Sequence, residues 1–310
     1  MKFTKQHSYY TLDQYLKQEY KSKVFKVALN GDFDCPNRDG SIQKHGCLFC
    51  SEKGSGDFAG NKEDTLENQF NSVSNIIHQK WPNALYIVYF QANTNTYGSL
   101  DKIKSLFEKA IKLHSNIVAI SIATRCDSIS NEIYDYLEEL NNRIPVWVEL
   151  GLQSIHQKTL DFMNVGYSVN QFDEAVKNLR QRNIHVIAHI INGFPNETKS
   201  MMLETVNHLN KLDIQGIKIH SLYITKNTIL GNIYQNNPFP LLTLKEYVDI
   251  VSDQLSILKD TVVVHRVNGD APREDLIAPI WSLKKLVVMN EIDKEMKKKE
   301  YFQGINYKSH

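Results

Sequence analysis

Strand-length runs of apolar, β-branched residues alternate with amphipathic stretches of helical length along most of this 310-residue chain. The strand-like runs cover residues 24–29, 84–90, 117–124, 146–153, 185–192, 217–224 and 262–267. The helical stretches cover residues 62–79, 100–114, 131–141, 170–180, 198–211 and 243–258. Such alternation is typical of a parallel sheet built from right-handed βαβ units, so we predict an α/β fold.

The chain shows no internal repeat and no low-complexity tract, which favours one core domain. We place this domain at residues 24–270. Residues 1–23 form a predicted N-terminal extension with one helix around residues 12–20, and residues 271–310 form a predicted helical C-terminal extension.

The overall composition excludes several classes of protein. A formal net charge of +1 provides no global field to attract nucleic acid or an anionic membrane. Four cysteines are too few for a secreted disulfide scaffold and fit a reducing compartment. The start of the chain lacks the apolar core of a signal peptide, and no apolar run approaches the ~20 residues that cross a bilayer. We therefore expect a cytoplasmic protein without a membrane partner.

One face of several predicted strands is polar. Glu149 and Gln153 alternate with apolar residues in the fourth strand, as do His189 in the fifth and Lys218 and His220 in the sixth. The period of two places these side chains on one face, towards the lumen of a curved sheet. Because buried parallel strands are usually apolar on both faces and unsatisfied polar groups are costly to bury, we predict a polar ligand in the lumen.

Three cysteines lie in one loop directly after the first predicted strand, with the spacing Cys-x11-Cys-x2-Cys. Three thiols cannot all pair as disulfides, so Cys35, Cys47 and Cys50 are predicted metal ligands that leave one position for another group. The alternative is a closed structural zinc site in which His45 is the fourth ligand. A structural zinc site would not explain why the lumen is polar, so the polar lumen favours an iron–sulfur cluster.

Here the chain resembles the radical S-adenosylmethionine (SAM) superfamily, in the branch related to the Elongator catalytic subunit. The segments that match one family within this branch are residues 26–29, 35–40, 89–91, 95–97, 123–125, 149–154, 193–197, 216–220, 265–272 and 279–281. In these segments the chain resembles the YtqA/MnmL family, which is related to YhcC. Two departures are the first cysteine gap, which is longer than the usual Cys-x3-Cys-x2-Cys, and Asn196, where the related pattern has glycine.

The resemblance implies a partial (β/α)6 TIM-like radical SAM barrel and two cofactors. Cys35, Cys47 and Cys50 would hold three irons of a 4Fe–4S cluster, and the fourth iron would bind the amino and carboxylate groups of SAM. The reduced cluster would then cleave SAM to a 5′-deoxyadenosyl radical. Cys126, the remaining thiol, is given no role.

Position within the family pattern also implies contacts with SAM. Gln91 and Asn93 would contact its amino group, and Glu149 and Gln153 its ribose and carboxylate, with Arg125 as a further partner. The residues expected to flank adenine are Ile191, Asn192 and Leu222. The residues expected in the substrate pocket are Lys218, His220 and Arg266, together with His265 and Asp270.

The resemblance further implies a tRNA substrate and an electron donor such as flavodoxin or ferredoxin. The reaction would convert 5-carboxymethylaminomethyl-(2-thio)uridine at the wobble position to the 5-aminomethyl form, by hydrogen abstraction from the glycyl methylene. Either of two lysine-rich segments, residues 17–26 or 284–299, is a candidate RNA contact. A radical SAM enzyme with a small-molecule substrate and a zinc-bearing RNA-binding module remain alternatives.

Overall fold

A computed structural model describes residues 7–54 and 56–308. Residues 1–6 of the predicted N-terminal extension and residues 309–310 of the C-terminal extension lie outside the described residues. Seven parallel strands form one sheet in the order β1-β2-β3-β4-β5-β6-β8. Its strands are β1 Val24–Leu29, β2 Leu85–Phe90, β3 Ile117–Thr124, β4 Val146–Gln153, β5 His185–Asn192, β6 Gly216–Ser221 and β8 Val263–Arg266. The predicted α/β class is confirmed, and each of the seven predicted strand runs contributes one strand to this sheet, with β8 from the run at residues 262–267.

The sheet is strongly curled. Lys26 on β1 and Glu149 on β4 are three strands apart, yet Lys26 Nζ lies 2.6 Å from Glu149 Oε1. In a flat sheet, strands three apart are separated by roughly 14 Å. Side chains on the concave face therefore meet across an open barrel, as the period of two predicted.

Ten α-helices lie among the described residues. They are α1 Leu12–Tyr20, α2 Leu66–Lys80, α3 Leu100–Ala110, α4 Asn131–Asn141, α5 Gln157–Phe162, α6 Val169–Gln181, α7 Lys199–Leu209, α8 Ile229–Asn236, α9 Leu244–Ile257 and α10 Lys285–Lys298. Helices α2, α3, α4, α6, α7 and α9 each begin after a Ser or Thr whose hydroxyl accepts a backbone N–H of the first turn. None of the ten is both long and apolar enough to cross a membrane, within the ranges described above.

Helix α1 covers the amino-terminal end of the barrel. Its Leu16 packs against a layer of buried lumen residues from successive strands: Ile87, Ala119, Trp147 and Ile187. The ring centroids of Tyr15 and Trp147 are 6.0 Å apart. The lumen thus has an apolar base, and its polar residues lie above that layer.

The predicted strand over residues 217–224 is divided in two. Strand β6 ends at Ser221, and β7 (Ile224–Thr225) pairs instead with the antiparallel β9 (Leu276–Ala278) in a small second sheet. Asn268 holds the chain where it leaves the main sheet. Its side chain accepts a hydrogen bond from the Ser221 hydroxyl and donates one to the Ser282 carbonyl. The C-terminal extension is therefore not purely helical. The domain boundaries at residues 24 and 270 remain predictions.

Candidate functional site

One cavity opens at the carboxyl ends of the parallel strands and has a volume of about 220 Å³. This is the edge at which a TIM-like fold builds its sites. Most of the residues predicted for the cofactors and substrate line it: Cys35, Cys47, Cys50, Gln91, Asn93, Arg125, Glu149, Gln153, Ile191, Lys218, His220, Leu222, Arg266 and Asp270. The fold thus brings together residues separated by up to 235 positions in sequence.

Asn192 is the predicted cofactor residue that does not line this cavity. Its side chain is buried on the outer face of β5, where it exchanges two hydrogen bonds with Gln254, of 2.7 and 2.9 Å. Ile191, its neighbour, points inwards because successive side chains of a strand alternate. The structure therefore supports a cavity position for Ile191 and gives no support to a side-chain contact between Asn192 and adenine.

Two backbone turns and a pair of asparagine side chains hold the cysteine loop in place. The Cys35 carbonyl accepts the Arg38 N–H at 2.8 Å, and the Cys47 carbonyl accepts the Cys50 N–H at 3.0 Å. The fully buried Asn37 donates to the Asn164 carbonyl at 2.7 Å, and Asn164 donates back to the Gly46 carbonyl at 2.7 Å. The three thiols consequently share one cavity wall.

The environment of the cavity thiols favours a thiolate at Cys47. A hydrogen bond from the Cys50 thiol lowers the pKa of Cys47, against the effect of burial, and the Arg125 charge lowers it further. The Asn37 amide lies 3.5 Å from Cys47 Sγ. Cys126 differs, because burial raises its pKa and it does not line the cavity. The chain thus presents three cavity thiols suited to metal ligation and one buried thiol that is not.

The closed zinc alternative has no structural support. His45, its fourth ligand, is exposed and does not line the cavity.

Two predicted SAM contacts adopt a left-handed backbone that non-glycine residues rarely take. Asn93, just after β2, has φ 58°, and Gln153, at the end of β4, has φ 67°. Asn93 is fixed by donation to the Phe33 carbonyl at 3.0 Å and by packing against Gly54, where a Cβ would lie 1.7 Å from Asn93 Oδ1. Such outliers concentrate at functional sites. Here both project an amide at the cavity.

Gly151 provides space beside Gln153. A Cβ at this position would lie 2.5 Å from Gln153 Nε2 and 3.0 Å from the Tyr167 hydroxyl, which donates to the Gly151 carbonyl at 2.8 Å. Tyr167 lines the cavity but comes from a loop that carries no recognisable pattern in the sequence.

The Arg125 guanidinium already has an ion-pair partner, a backbone hydrogen-bond acceptor and an aromatic ring in contact with it. Its guanidinium forms a two-point ion pair with Asp127, at 2.9 and 2.7 Å, and donates to the Val165 carbonyl at 2.9 Å. It also lies 4.9 Å above the Tyr167 ring. These contacts fix a positive charge beside Cys47, whereas a direct contact between Arg125 and SAM remains a prediction.

A charged network occupies the middle of the lumen. Its centre is Glu149, whose fully buried carboxylate is bonded by five side chains: Lys26, Tyr89, Ser121, His189 and Lys218. Burial opposes ionisation of this carboxyl, but Lys218 and Lys26 hold its pKa well below the usual range. The polar side chains around Glu149 are therefore largely satisfied by one another, so the polarity of this part of the lumen does not by itself require a ligand. A ribose contact by Glu149 remains a prediction.

Lys26 belongs to this network and not to an RNA-binding patch. Besides Glu149, it donates to the Ser121 hydroxyl at 3.3 Å and lies 4.8 Å from the centre of the Tyr89 ring. Lys26, Tyr89 and Ser121 were missed as lumen residues. Their strand positions contained the signal, since all three face inwards in the period-two pattern of β1, β2 and β3.

Two groups on the β6–β8 wall keep unused bonding capacity. His220 Nε2 is buried without a hydrogen-bond partner. The Arg266 guanidinium is partly exposed in the cavity and has no hydrogen-bond or ion-pair partner among the described residues. Burial, followed by the charge of Arg266, lowers the pKa of His220 well below the usual range, so the ring is neutral. A free guanidinium beside a neutral imidazole is a receptor for an anion.

Family models match most of the chain. The model of the Radical SAM superfamily matches residues 44–209, and that of the Radical_SAM C-terminal domain matches residues 214–298. The chain belongs to the radical SAM superfamily. Cys47 and Cys50 of this radical SAM chain lie inside the first match, and Cys35 precedes it.

This radical SAM chain is also similar to individual proteins. YtqA of Bacillus subtilis (strain 168) is 45% identical over 296 residues, which are 96% of this chain and 92% of YtqA, so the predicted resemblance to YtqA is confirmed. The tRNA uridine(34) acetyltransferase of Methanocaldococcus infernus is 25% identical over 184 residues, 58% of this chain and 33% of that protein. The solved structure of Methanocaldococcus infernus Elp3 with an N-terminal deletion aligns with a TM-score of 0.67 and 17% identity, over 91% of this chain and 64% of that one. Both archaeal chains extend well beyond the aligned part, and the structural likeness shows the shared fold.

Enzymes of the radical SAM superfamily use a 4Fe–4S cluster and SAM, as predicted for this chain. The donor set fits them, because three thiols line one wall of the cavity and strained amides project beside that wall.

Proposed function

We propose that this radical SAM enzyme modifies the wobble uridine of tRNA, converting 5-carboxymethylaminomethyl-(2-thio)uridine to 5-aminomethyl-(2-thio)uridine. The observation that carries the proposal is the unpaired Arg266 guanidinium in the cavity, which suits a substrate ending in a carboxylate. The sequence similarity to a tRNA uridine(34) acetyltransferase supports a tRNA substrate.

In this proposal the cysteine loop would bind the cluster, and residues at the ends of the strands would bind SAM. Cys35, Cys47 and Cys50 would hold the cluster. The residues that would contact SAM are Gln91, Asn93, Gln153, Ile191 and Leu222. When bound, the two cofactors together supply a carbon-centred radical that can remove a hydrogen atom from an unactivated C–H bond. An electron donor of the flavodoxin or ferredoxin type completes the proposal.

Arg266 is the better of the two predicted anchors for the substrate carboxylate. Lys218 already bonds Glu149 and lies 3.2 Å from the Tyr89 hydroxyl, whereas the planar donors of Arg266 are free. A guanidinium can bind a carboxylate through two parallel charge-assisted hydrogen bonds, which also fixes its orientation. The glycyl methylene beside that carboxylate would thereby be held in one place.

In the proposed reaction, the glycyl methylene of the substrate would lose one hydrogen atom to the radical derived from SAM and one electron to the oxidised cluster. This two-electron oxidation gives a protonated imine between the amine nitrogen and the carbon that bears the carboxylate. One water then cleaves the carbon–nitrogen double bond. The products are the primary amine on the uridine and glyoxylate, so the nucleoside keeps its nitrogen and loses a two-carbon acid.

Deletion of the gene should change the tRNA nucleosides in one direction. We expect 5-carboxymethylaminomethyl nucleosides to accumulate and 5-aminomethyl nucleosides to disappear, as measured by mass spectrometry of digested tRNA. Complementation with the wild-type gene should restore the profile, and complementation with Cys47→Ala should not. An unchanged profile in the deletion strain would exclude this substrate while leaving the superfamily assignment intact.

Replacing Arg266 with glutamine should raise KM for substrate tRNA. Loss of a charge-assisted contact costs about 1.5–3 kcal/mol, so kcat/KM should fall by roughly 10- to 100-fold. Arg273→Gln is the matched control, because Arg273 is exposed and does not line the cavity. Equal effects of the two substitutions on steady-state kinetics would show that Arg266 does not bind the substrate.

A further inference from the structure

The cations of the lumen outnumber the carboxylate that pairs with them. Lys26 and Lys218 both bond Glu149, and Arg266 lies beside them without an ion-pair partner among the described residues. Asp270, at the rim, is bonded by Lys285. A buried cluster with this excess of positive charge favours loss of a proton from one lysine.

Of the two lumen lysines, Lys218 is in the position where loss of a proton is favoured. It is 6% exposed, lines the cavity, and sits on β6 between His189 of β5 and Arg266 of β8, its register partners on either side. Burial, together with the charges of Lys26 and Arg266, lowers its pKa to about 7, against the opposing effect of Glu149. More of this amine is therefore unprotonated at neutral pH than of an exposed lysine, and an unprotonated amine is a nucleophile.

Arg266 places a carboxylate-binding group beside the Lys218 amine. It is the register partner of Lys218 across the β6–β8 pair, and both side chains line the same cavity. A nucleophilic amine next to a free guanidinium matches a short 2-oxo acid, which carries an electrophilic carbonyl carbon bonded to a carboxylate.

We propose that Lys218 and Arg266 form a binding site for short 2-oxo acids, in which the Lys218 amine bonds to the oxo carbon as a Schiff base and Arg266 holds the carboxylate. In catalysis, which rests on the function proposed above, Lys218 would attack the imine carbon of the oxidised substrate. The bond from that carbon to the nucleoside nitrogen then breaks, and a proton moves from the lysine nitrogen to the leaving nitrogen. Water later releases glyoxylate and restores the lysine.

Neighbouring groups are placed to move the proton. Glu149 accepts a hydrogen bond from the Lys218 amine, and the Tyr89 hydroxyl lies 3.2 Å from Nζ. His189, which donates to the same carboxylate at 2.8 Å, is held neutral because burial, followed by the charge of Lys218, lowers its pKa to about 4. Proton transfer therefore occurs within a connected set of side chains and needs no further residue.

Reductive trapping tests this site without tRNA and without a reductant for the cofactors. The purified holoenzyme is incubated at neutral pH with low concentrations of glyoxylate and cyanoborohydride, which converts a lysine Schiff base to a stable carboxymethyl-lysine. Peptide mass spectrometry should find Lys218 modified at least roughly tenfold faster than the exposed Lys62 and Lys298, since an ordinary lysine is almost fully protonated at this pH. No preference for Lys218 would overturn the proposal.

Two variants test the division of roles. Lys218→Arg should abolish the adduct at position 218 while retaining a cation beside Glu149, so that the fold is kept. Loss of the Arg266 charge in Arg266→Gln should raise the Lys218 pKa and slow trapping of both aldehydes. Trapping of glyoxylate should fall roughly tenfold further than trapping of acetaldehyde, which lacks the carboxylate. If Arg266→Gln slows both aldehydes equally, Arg266 does not recognise the carboxylate and the 2-oxo-acid assignment fails. These results do not depend on the nucleoside profile of a deletion strain, so the two proposals can fail separately.

Discussion

Cys47→Ala is expected to reduce 5′-deoxyadenosine formation from SAM to the level of a protein-free control. Cys47 is the cavity thiol whose environment favours the thiolate, through the Cys50 thiol, Arg125 and Asn37. Removing one of three ligands from a cluster site leaves the metal incompletely held. The measurements are iron content after anaerobic reconstitution and chromatographic assay of 5′-deoxyadenosine with dithionite as the reductant.

Cys126→Ala is the matched control for this loss. Cys126 is only 5% exposed, and its burial raises its pKa, so it has the properties of a small packing residue. The variant should retain iron and SAM cleavage close to wild type. If Cys126→Ala abolished both and Cys47→Ala retained them, the proposed ligand set would be wrong.

Glu149→Gln should destabilise the protein more than any exposed charge substitution. The change leaves Lys26 and Lys218 without the carboxylate that pairs with both, and breaking a buried pair from one side costs about 3–5 kcal/mol. The matched control is Glu108→Gln, which removes an ion pair with the partly exposed Arg143 and should cost under about 1 kcal/mol. Urea unfolding measures both free energies, and equal values would show that the lumen network does not contribute to stability.

The stability difference between wild type and Glu149→Gln should also depend on pH. The folded-state pKa of Glu149 lies well below the ordinary glutamate value of about 4.3. The ionised carboxylate therefore contributes fully above that ordinary value, and its contribution is lost as pH falls through the folded-state pKa. Unfolding free energies measured from neutral to acidic pH should converge for the two proteins, and a constant difference would contradict the role of the charge.

Much of the fold was predictable because its elements depend on local patterns. The predicted runs 24–29, 117–124, 146–153 and 185–192 coincide with β1, β3, β4 and β5. Helices α5 and α8 were not predicted, since six and eight residues are too few to show a clear helical period. The division of residues 217–224 between two sheets was also missed, because it depends on Asn268, a residue distant in sequence.

The candidate site was predictable as a set of residues but not as a set of partners. Alternation along the strands identified Glu149, Lys218 and His220 as inward-facing, and the cysteine loop followed from its position after β1. Ion pairing was not predictable, because the approach of β1 to β4 depends on the curvature of the whole sheet. The unpaired state of Arg266 likewise emerges only when every neighbouring acid has been placed.

Helix α1 has a consequence for the order of events in catalysis. Leu16 and the layer of Ile87, Ala119, Trp147 and Ile187 close the far end of the lumen. The two-carbon acid proposed to form beside Lys218 would therefore not leave through the base. Its exit is the opening through which a macromolecular substrate would reach the cavity. A bound nucleic acid would therefore cover the exit, and the two-carbon acid would depart only after the larger product had dissociated.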